Sequence, residues 1–351
     1  MDVKKAVNTY HRNIAIILGI VLAIFIAIPL FVKTPYIINI FVLVFYVSTM
    51  SMAWNILGGM TGQNSLGLAA YMGIGAYTVC LIVSKAGWNP WVASIFAMLV
   101  TGLIAGVIFF PCFILKGPYF TLVSIAFAES LRQFIINSEF FGLASGVGLP
   151  FGKDSLALFR FTSKVPYYYA GMIMMIAVYI IMKKIDGSKI GFALKTIRED
   201  EDAAAAIGIN PTKYKVLAVV ISAVVAGFVG FFYASYIRYI DPDLMVQAKS
   251  TEFVLPAVVG GAAFVEGPLV GGLIMIPLSE FLRANYARVL PGINMIMYAV
   301  VLLVVIRFRP SGILGWYMDS KFKKFIDEKI LKKPSVDVLE QYALDKHKKG
   351  A

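Results

Sequence analysis

Long apolar runs separated by short polar connections make up most of this chain. Eight runs come close to the roughly 20 residues that an α-helix needs to cross about 30 Å of hydrocarbon. They lie at 14–32, 36–57, 65–84, 91–115, 117–136, 166–183, 213–237 and 291–308. The pattern predicts an all-α fold, a polytopic transmembrane helical bundle.

A further apolar segment, 251–283, is less regular, because a Gly-Gly pair at 260–261 and a Glu-Gly-Pro break at 266–268 interrupt it. If the chain starts inside, seven spans leave it outside after residue 237. The basic tail beyond the last run favours the inside, so an odd number of crossings must follow. We therefore expect 251–283 to cross twice, with one crossing short, broken or re-entrant. The total is about ten membrane crossings, made by eight to ten spans.

The same pattern sets the expected domain organisation. Residues 1–13 form a cytoplasmic N-terminal flank, 14–315 the transmembrane domain, and 316–351 a charged cytoplasmic tail. The run at 14–32 is longer than a signal-peptide core and lacks a convincing cleavage site, which favours a retained first span. Within the membrane domain, 184–213 is a long cytoplasmic loop and 137–165 a Gly-rich external one.

Composition agrees with a membrane protein, since 59% of the residues are hydrophobic and only 15% are charged. The formal net charge of +12 could suggest nucleic acid, but its distribution argues against that partner. Of the 32 Lys and Arg residues, three lie in the N-terminal flank, seven in and around 183–215, and eleven from Arg307 onward. Positive residues favour the cytoplasmic side of a membrane, so topology accounts for the charge.

The longest polar interruption within the membrane region is REDEDAAAAIGINPTK at 198–213. Acids in a first turn favour a helix start, alanines favour its interior, and Gly208 suits a left-handed C-terminal cap. Asn210-Pro211 then predicts the cap and first turn of the next helix. We expect a helix of roughly two and a half turns, whose small-residue face forms a docking element for another protein. The residues assigned to it are Glu199, Asp200, Glu201, Asp202, Ala203, Ala204 and Gly208.

The residues give no sign of catalysis. The two histidines, His11 and His347, lie in charged flanks, and the chain contains no HExxH motif and no G-x-x-x-x-G-K-[ST] phosphate loop. Cys80 and Cys112 both fall in apolar runs without metal-ligand spacing, so buried free thiols are expected. We expect no enzyme, no metal and no cofactor on this chain. If ATP drives its action, a separate subunit must bind the nucleotide.

A Gly-rich junction, GGMTGQNSLGLAAYMGIGAY at 58–77, contains several polar side chains. A broken helix here could line a substrate path, and the candidate path-lining residues are Asn55, Gln63, Asn64 and Ser65. The alternative is a tight loop with close helix packing through Gly67, Gly73 and Gly75. Both interpretations stay open for the polar residues.

Glu129 is the clearest ionisable residue inside a run, and Arg132 follows one turn later on the same helix face. Glu129 could contact a substrate or carry a proton, since charges at bilayer depth are costly and often functional. The alternative, a structural ion pair with Arg132 near the external edge, is favoured. Glu252, Glu266 and Glu280 fall at breaks or span ends and are expected to be solvated.

Three blocks of this sequence resemble the LivM-type permease subunits of branched-chain amino-acid ABC importers. They are WNILGGMTGQNSLGLAAYMGIGAYT at 54–78, GFALKTIREDEDAAAAIGINPTKYKVLAVVISAVVAGFVGFFYA at 191–234, and VVGGAAFVEGPLVGGLI at 258–274 with RPSGILG at 309–315. The second block is similar to the cytoplasmic coupling loop of ABC permeases. There Asp202-Ala203-Ala204 and Gly208 fit the pattern of an acid, two alanines and a later glycine.

The resemblance implies an inner-membrane importer in a prokaryote. It comprises this chain, a second homologous permease, two ATPase subunits that bind ATP and Mg²⁺, and an extracytoplasmic solute-binding protein. Related permeases are similar to importers of urea, short-chain amides and sugars, and those substrates stay open. A second class of function, an ion-coupled transporter or channel using Glu129, also stays open.

Overall fold

The computed structural model describes residues 3–32, 34–112, 117–150, 152–286, 288, 292–320 and 323. These residues fall into two compact units. One contains 35–314, and the other contains 1–34 together with 315–351. Most of the described residues are helical, so the expected all-α polytopic fold is confirmed.

The helices follow the apolar runs closely. In chain order they are α1 (Val3–Phe31), α2 (Pro35–Thr61), α3 (Leu68–Ala86), α4 (Pro90–Cys112), α5 (Pro118–Ile136), α6 (Val165–Asp186), α7 (Lys189–Glu199), α8 (Glu201–Ala206), α9 (Pro211–Ile237), α10 (Gln247–Gly260), α11 (Gly267–Tyr286), α12 (Ile293–Phe308) and α13 (Gly312–Asp319).

Seven of the described helices are long and apolar enough to cross a membrane, namely α2, α3, α4, α5, α6, α9 and α11. Shorter apolar helical stretches lie at Gly19–Phe31 and Met295–Val305. The broken segment forms two helices, α10 and α11, of which α10 has only 14 residues. The total of ten crossings stays a prediction.

Some expected boundaries were wrong. Residues 3–13 are helical and continue into the first apolar run as α1, and the cytoplasmic flank over 1–13 stays a prediction. The third span starts at Leu68 instead of 65, since 62–67 form an irregular connection. Most of the charged tail expected over 316–351 lies outside the described residues.

The unit 35–314 has two distinct ends. At one end, which we call the ladder end, Val147 pairs with Ile240 and Gly148 with Tyr239 in a two-residue antiparallel ladder, β1 (Val147–Gly148) with β2 (Tyr239–Ile240). At the other, the loop end, lie α7, α8, the connection 62–67 and the turn between α10 and α11. Asn55 donates a hydrogen bond from Nδ2 to the Phe264 carbonyl in that turn, at 3.2 Å.

The core depends on close helix contact through small residues. A methyl group added at Gly75 of α3 would lie 2.5 Å from the Gly227 carbonyl oxygen of α9. One added at Gly230 would lie 2.4 Å from the Met72 carbonyl oxygen. Packing through small residues lets backbones approach in membranes, where lipid offers no hydrophobic driving force between helices. The expected packing role of Gly75 is confirmed.

Candidate functional site

The polar loop between α6 and α9 folds as two short helices, each with defined ends. Asp200 ends α7 and caps α8, because its Oδ1 accepts hydrogen bonds from the backbone N–H groups of Asp202 and Ala203, both at 2.9 Å. Gly208 has φ +87°, and its N–H bonds the Ala205 carbonyl while that of Ile209 bonds the Ala204 carbonyl. These two backbone hydrogen bonds together form a Schellman cap. The Asn210 cap is also confirmed, with Oδ1 accepting from Lys213 N–H at 3.0 Å.

The structure corrects three details of this loop. The helix α8 has six residues, fewer than the two and a half turns expected, because the extended backbone of Asp200 ends α7 and starts a new helix. Glu199 is therefore the last residue of α7 and not part of the first turn of α8. Ala204 is completely buried within the chain, so it cannot belong to an exposed face.

Alanines and two large apolar residues are exposed on and near α8, beside charged residues such as Asp202. Asp202, Ala203, Ala205 and Ala206 are exposed on α8. Ile207 follows at 67% exposure, and Phe192 of α7 is also 67% exposed. Exposed large apolar residues beside an alanine surface are typical of a protein contact. The loop thus exposes alanine and large apolar side chains together with Asp202, and it buries Ala204.

Two polar contacts fasten this loop to membrane helices. Lys215 of α9 is completely buried, and its Nζ lies 2.6 Å from Oε2 of Glu201 in α8. Arg198 at the end of α7 donates from Nη1 to the Gly59 carbonyl near the end of α2, at 2.9 Å. Sequence reasoning missed both cations as partners. Lys215 is one of two lysines in the first turns of α9, the other being Lys213, and its position in the sequence does not distinguish it as the partner of Glu201.

The candidate path-lining residues of the Gly-rich junction all lie toward the loop end. Asn55 and Gln63 are 1% and 7% exposed, and their side-chain oxygens have no hydrogen-bond partner among the described residues. Ser65 is buried and its carbonyl accepts from Trp54 Nε1 at 2.8 Å. Asn64 is exposed, and its carbonyl accepts from Thr121 Oγ1 at 2.6 Å. The structure places these residues near the ends of α2 and α7, away from the ladder end.

Glu129 is half exposed and is paired. Its Oε1 lies 3.1 Å from Arg132 Nη1 and accepts from Gln133 Nε2 at 2.7 Å. Arg132 has a second acidic partner that sequence reasoning missed, Asp243, whose Oδ1 lies 2.7 Å from Nη2. An exposed carboxylate with two partners lacks the isolation that makes a buried acid a proton carrier. The geometry favours the structural ion pair over an ion-coupled mechanism through Glu129.

Three glutamates that were expected to be solvated each have a cationic partner. Glu266 lies 2.5 Å from Lys183 Nζ, and Glu280 lies 2.7 Å from Arg283 Nη2. Glu252 lies 2.9 Å from Lys249 Nζ. The side chain of Glu266 keeps 39% exposure, whereas those of Glu252 and Glu280 keep 26% and 12%, so the three carboxylates are solvated to different extents. The i, i+3 spacing of two of these pairs was visible in the sequence.

A helical bundle with at least seven membrane-length helices, close glycine packing and a fastened polar loop at one end defines a multi-pass membrane protein. The chain belongs to the family of branched-chain amino acid transport system permease components, which it matches over residues 36–306.

Relatives within this family support the assignment. The chain is 26% identical over 298 residues to the high-affinity branched-chain amino acid transport system permease protein LivM of Salmonella typhimurium. The match covers 76% of this chain and 69% of that protein, and the LivM protein of Escherichia coli K12 gives the same values. LivH of Escherichia coli K12 is 30% identical over 128 residues, covering 36% of this chain and 40% of LivH. No solved structure matches the chain.

Proposed function

We propose that this chain is one permease subunit of an ATP-driven importer for branched-chain amino acids. The names of its relatives support that substrate class, since they describe high-affinity branched-chain amino acid transport. The proposed assembly joins this chain to a second, LivH-like permease, two ATPase subunits that bind ATP and Mg²⁺, and an extracytoplasmic solute-binding protein. It lies in the cytoplasmic membrane of a prokaryote.

The loop end is proposed to face the cytoplasm, together with both chain termini. The basic residues of the 183–215 region and of the C-terminal segment favour that orientation. The ladder end then faces outward, where a binding protein delivers the substrate.

The observation that carries the coupling proposal is the fastening of α8. Its exposed residues, with Phe192 and Ile207, are proposed to dock on an ATPase subunit, and its polar contacts carry the resulting movement into the bundle. Glu201 links α8 to α9 through the buried Lys215, and Arg198 links α7 to α2 through Gly59. A docked subunit that moves the loop would therefore move two membrane helices directly.

Asn55 and Gln63 are proposed to belong to the inner gate of the path, with Asn64 and Ser65 beside them. Buried polar atoms without a partner are costly, and Asn55 Oδ1 and Gln63 Oε1 are two such atoms. Both lie close to the contacts of α7 with α2, so movement of the loop would change their surroundings. If these two oxygen atoms gain hydrogen-bond partners in an inward-open state, those bonds would favour opening of the gate.

The test uses Ala203→Trp in the assembled transporter. Bulk at a close interface costs about 1–3 kcal/mol, so we expect folded protein in which ATP hydrolysis no longer responds to substrate. Lys184→Trp is the matched control, because Lys184 is exposed at the same end but lies outside α8. The same assay with L-leucine, urea, a short-chain amide and a sugar tests the substrate class. Normal substrate-stimulated hydrolysis by Ala203→Trp would show that α8 is not the docking element.

A further inference from the structure

The helix α10 is shorter than the membrane-length helices that surround it. Its 14 residues span about 21 Å, less than the roughly 30 Å of a hydrocarbon core. A 3₁₀ turn, Pro242–Met245, leads from the ladder to the start of α10. The ring of Phe253 in α10 lies 5.6 Å from that of Tyr46, near the middle of α2. The first turns of α10 are therefore about halfway along the membrane helices.

A cavity of about 490 Å³ opens beside these first turns. Residues of α10 and α12 form most of its wall, and the lining is largely apolar: Val246, Ala248, Lys249, Thr251, Glu252, Leu255, Met295, Tyr298, Ala299 and Leu302. The volume is within the range of small-molecule pockets, roughly 300–1,000 Å³. The one ion pair in the lining joins Lys249 Nζ to Glu252 Oε2 at 2.9 Å.

The location of this pair argues for a function. Ionisable side chains at membrane depth are costly and generally mark substrate or ion pathways. Substrate sites of transporters are typically formed near mid-membrane by short or interrupted helices. α10 has both properties, since it is short, contains Pro256 and starts after an irregular segment. A purely structural pair would not need an open cavity beside it.

We propose that this cavity holds the amino acid during its passage through the permease. Lys249 binds the α-carboxylate, Glu252 binds the α-ammonium group, and the branched side chain packs against Leu255, Ala299 and Leu302. Lys249 can bind a carboxylate while it stays paired, because an ammonium group carries three N–H donors and Lys249 gives only one of them to Glu252. The assignment rests on the proposed function, and it names the residues of this chain that contact the substrate.

The apolar lining and the two charges together select for a zwitterion with an aliphatic side chain. Urea and sugars carry neither a carboxylate nor an ammonium group and would leave the ion pair without a new partner. An acyl chain from lipid would fill the apolar part but would not compete with an amino acid at the charges. Each of these occupants predicts a different outcome in a binding experiment.

The experiment measures protection of a cysteine in the cavity. Ala299→Cys is placed in a background in which Cys80 and Cys112 are alanine, and membranes containing the permeases and ATPases without the binding protein are treated with a thiol reagent. Omitting the binding protein matters because its own affinity would otherwise set the substrate dependence. We expect L-leucine to slow the alkylation, whereas urea, glucose and 4-methylpentanoate, which lacks the ammonium group, do not. Val300→Cys, exposed on α12 outside the cavity lining, should react at the same rate with and without L-leucine.

A charge exchange separates binding from a structural pair. Lys249→Glu combined with Glu252→Lys keeps an ion pair but reverses its direction relative to the apolar wall. We expect the L-leucine concentration that halves the alkylation rate to rise about tenfold, because losing a hydrogen bond to a charged group weakens binding by that order. The control exchange, Lys183→Glu with Glu266→Lys, reverses a pair outside the cavity and should leave this concentration within about twofold.

The results distinguish this site from the proposed function. Alkylation that ignores L-leucine, in a transporter whose complete assembly accumulates L-leucine, overturns the site and leaves the function standing. Protection by 4-methylpentanoate equal to that by L-leucine overturns the role of Glu252 without requiring any variant of the pair to fold. Absence of L-leucine uptake by the complete assembly overturns the proposed function itself.

Discussion

The ammonium group of Lys215 lies 2.6 Å from the carboxylate of Glu201, with the Lys215 side chain completely buried and that of Glu201 23% exposed. A buried cation without a partner is costly, so the buried charge of Lys215 in α9 requires α8 to hold Glu201 beside it. The loop is thereby fixed to the bundle at a point that its own sequence pattern does not reveal.

Removing one member of this pair should destabilise the protein more than removing both. Glu201→Gln leaves Lys215 buried and unpaired. Because Glu201 is partly exposed, we expect a loss near the lower end of the about 3–5 kcal/mol seen for broken buried pairs. Combining Glu201→Gln with Lys215→Met should recover most of that loss. Thermal unfolding of the purified protein measures both.

Asp186→Asn is the matched control for this pair. Its partner Lys195 lies 2.6 Å away, but the two side chains are 27% and 47% exposed. Pairs of that exposure contribute at most about 1 kcal/mol. Equal unfolding temperatures for Glu201→Gln and Asp186→Asn would contradict the anchoring role of Lys215.

Hydrophobic length could be recognised from the sequence, because each membrane helix satisfies its backbone internally and needs only an apolar run. The caps at Gly208 and Asn210 could also be predicted, since both act on neighbouring backbone groups. Burial of Ala204 could not, because it depends on how α8 packs against the rest of the loop. The partner of Arg132 was missed for the same reason, as Asp243 lies 111 residues away.

Arg132 should matter more than either of its acidic partners. Glu129→Gln leaves the 2.7 Å contact between Arg132 and Asp243 intact, so we expect the free energy of unfolding to fall by only about 0–1 kcal/mol. Arg132→Gln leaves two acids facing each other without a cation and should lower the unfolding temperature further. Adding Glu129→Gln and Asp243→Asn to Arg132→Gln should restore it. A triple variant that stays folded but inactive in transport would instead give Glu129 a functional role.

Membrane orientation can be tested with single cysteines and an impermeant thiol reagent added from outside. Leu156→Cys at the ladder end, where Leu156 is 73% exposed, should react. Lys189→Cys at the loop end should not react until the membrane is opened. Lys189 is preferable to Ser188, whose Oγ accepts from the N–H groups of Ile190 and Gly191 and caps α7. Labelling of Lys189→Cys in sealed cells would contradict the proposed orientation.

A cysteine at Ser335 would test the orientation of the tail in the same way, although Ser335 lies outside the described residues.

The contact between α3 and α9 should tolerate no side chain at Gly75. A methyl group there would lie 2.5 Å from the Gly227 carbonyl oxygen and 2.6 Å from its Cα, both of them backbone atoms that cannot rotate away. Gly75→Ala therefore forces the helices apart, and we expect a loss of stability at the upper end of the about 1–3 kcal/mol typical of overpacking.

Gly106→Ala is the matched control, since its methyl group would meet a side-chain methyl of Val220 at 3.1 Å, which can shift by a few tenths of an ångström. Unfolding temperatures in detergent and the yield of folded protein measure both variants. The close approach of the two backbones is a determinant of this fold only if Gly75→Ala lowers stability clearly more than Gly106→Ala. Equal losses would mean that α3 and α9 can separate without consequence, and that the small residues at their crossing serve another purpose.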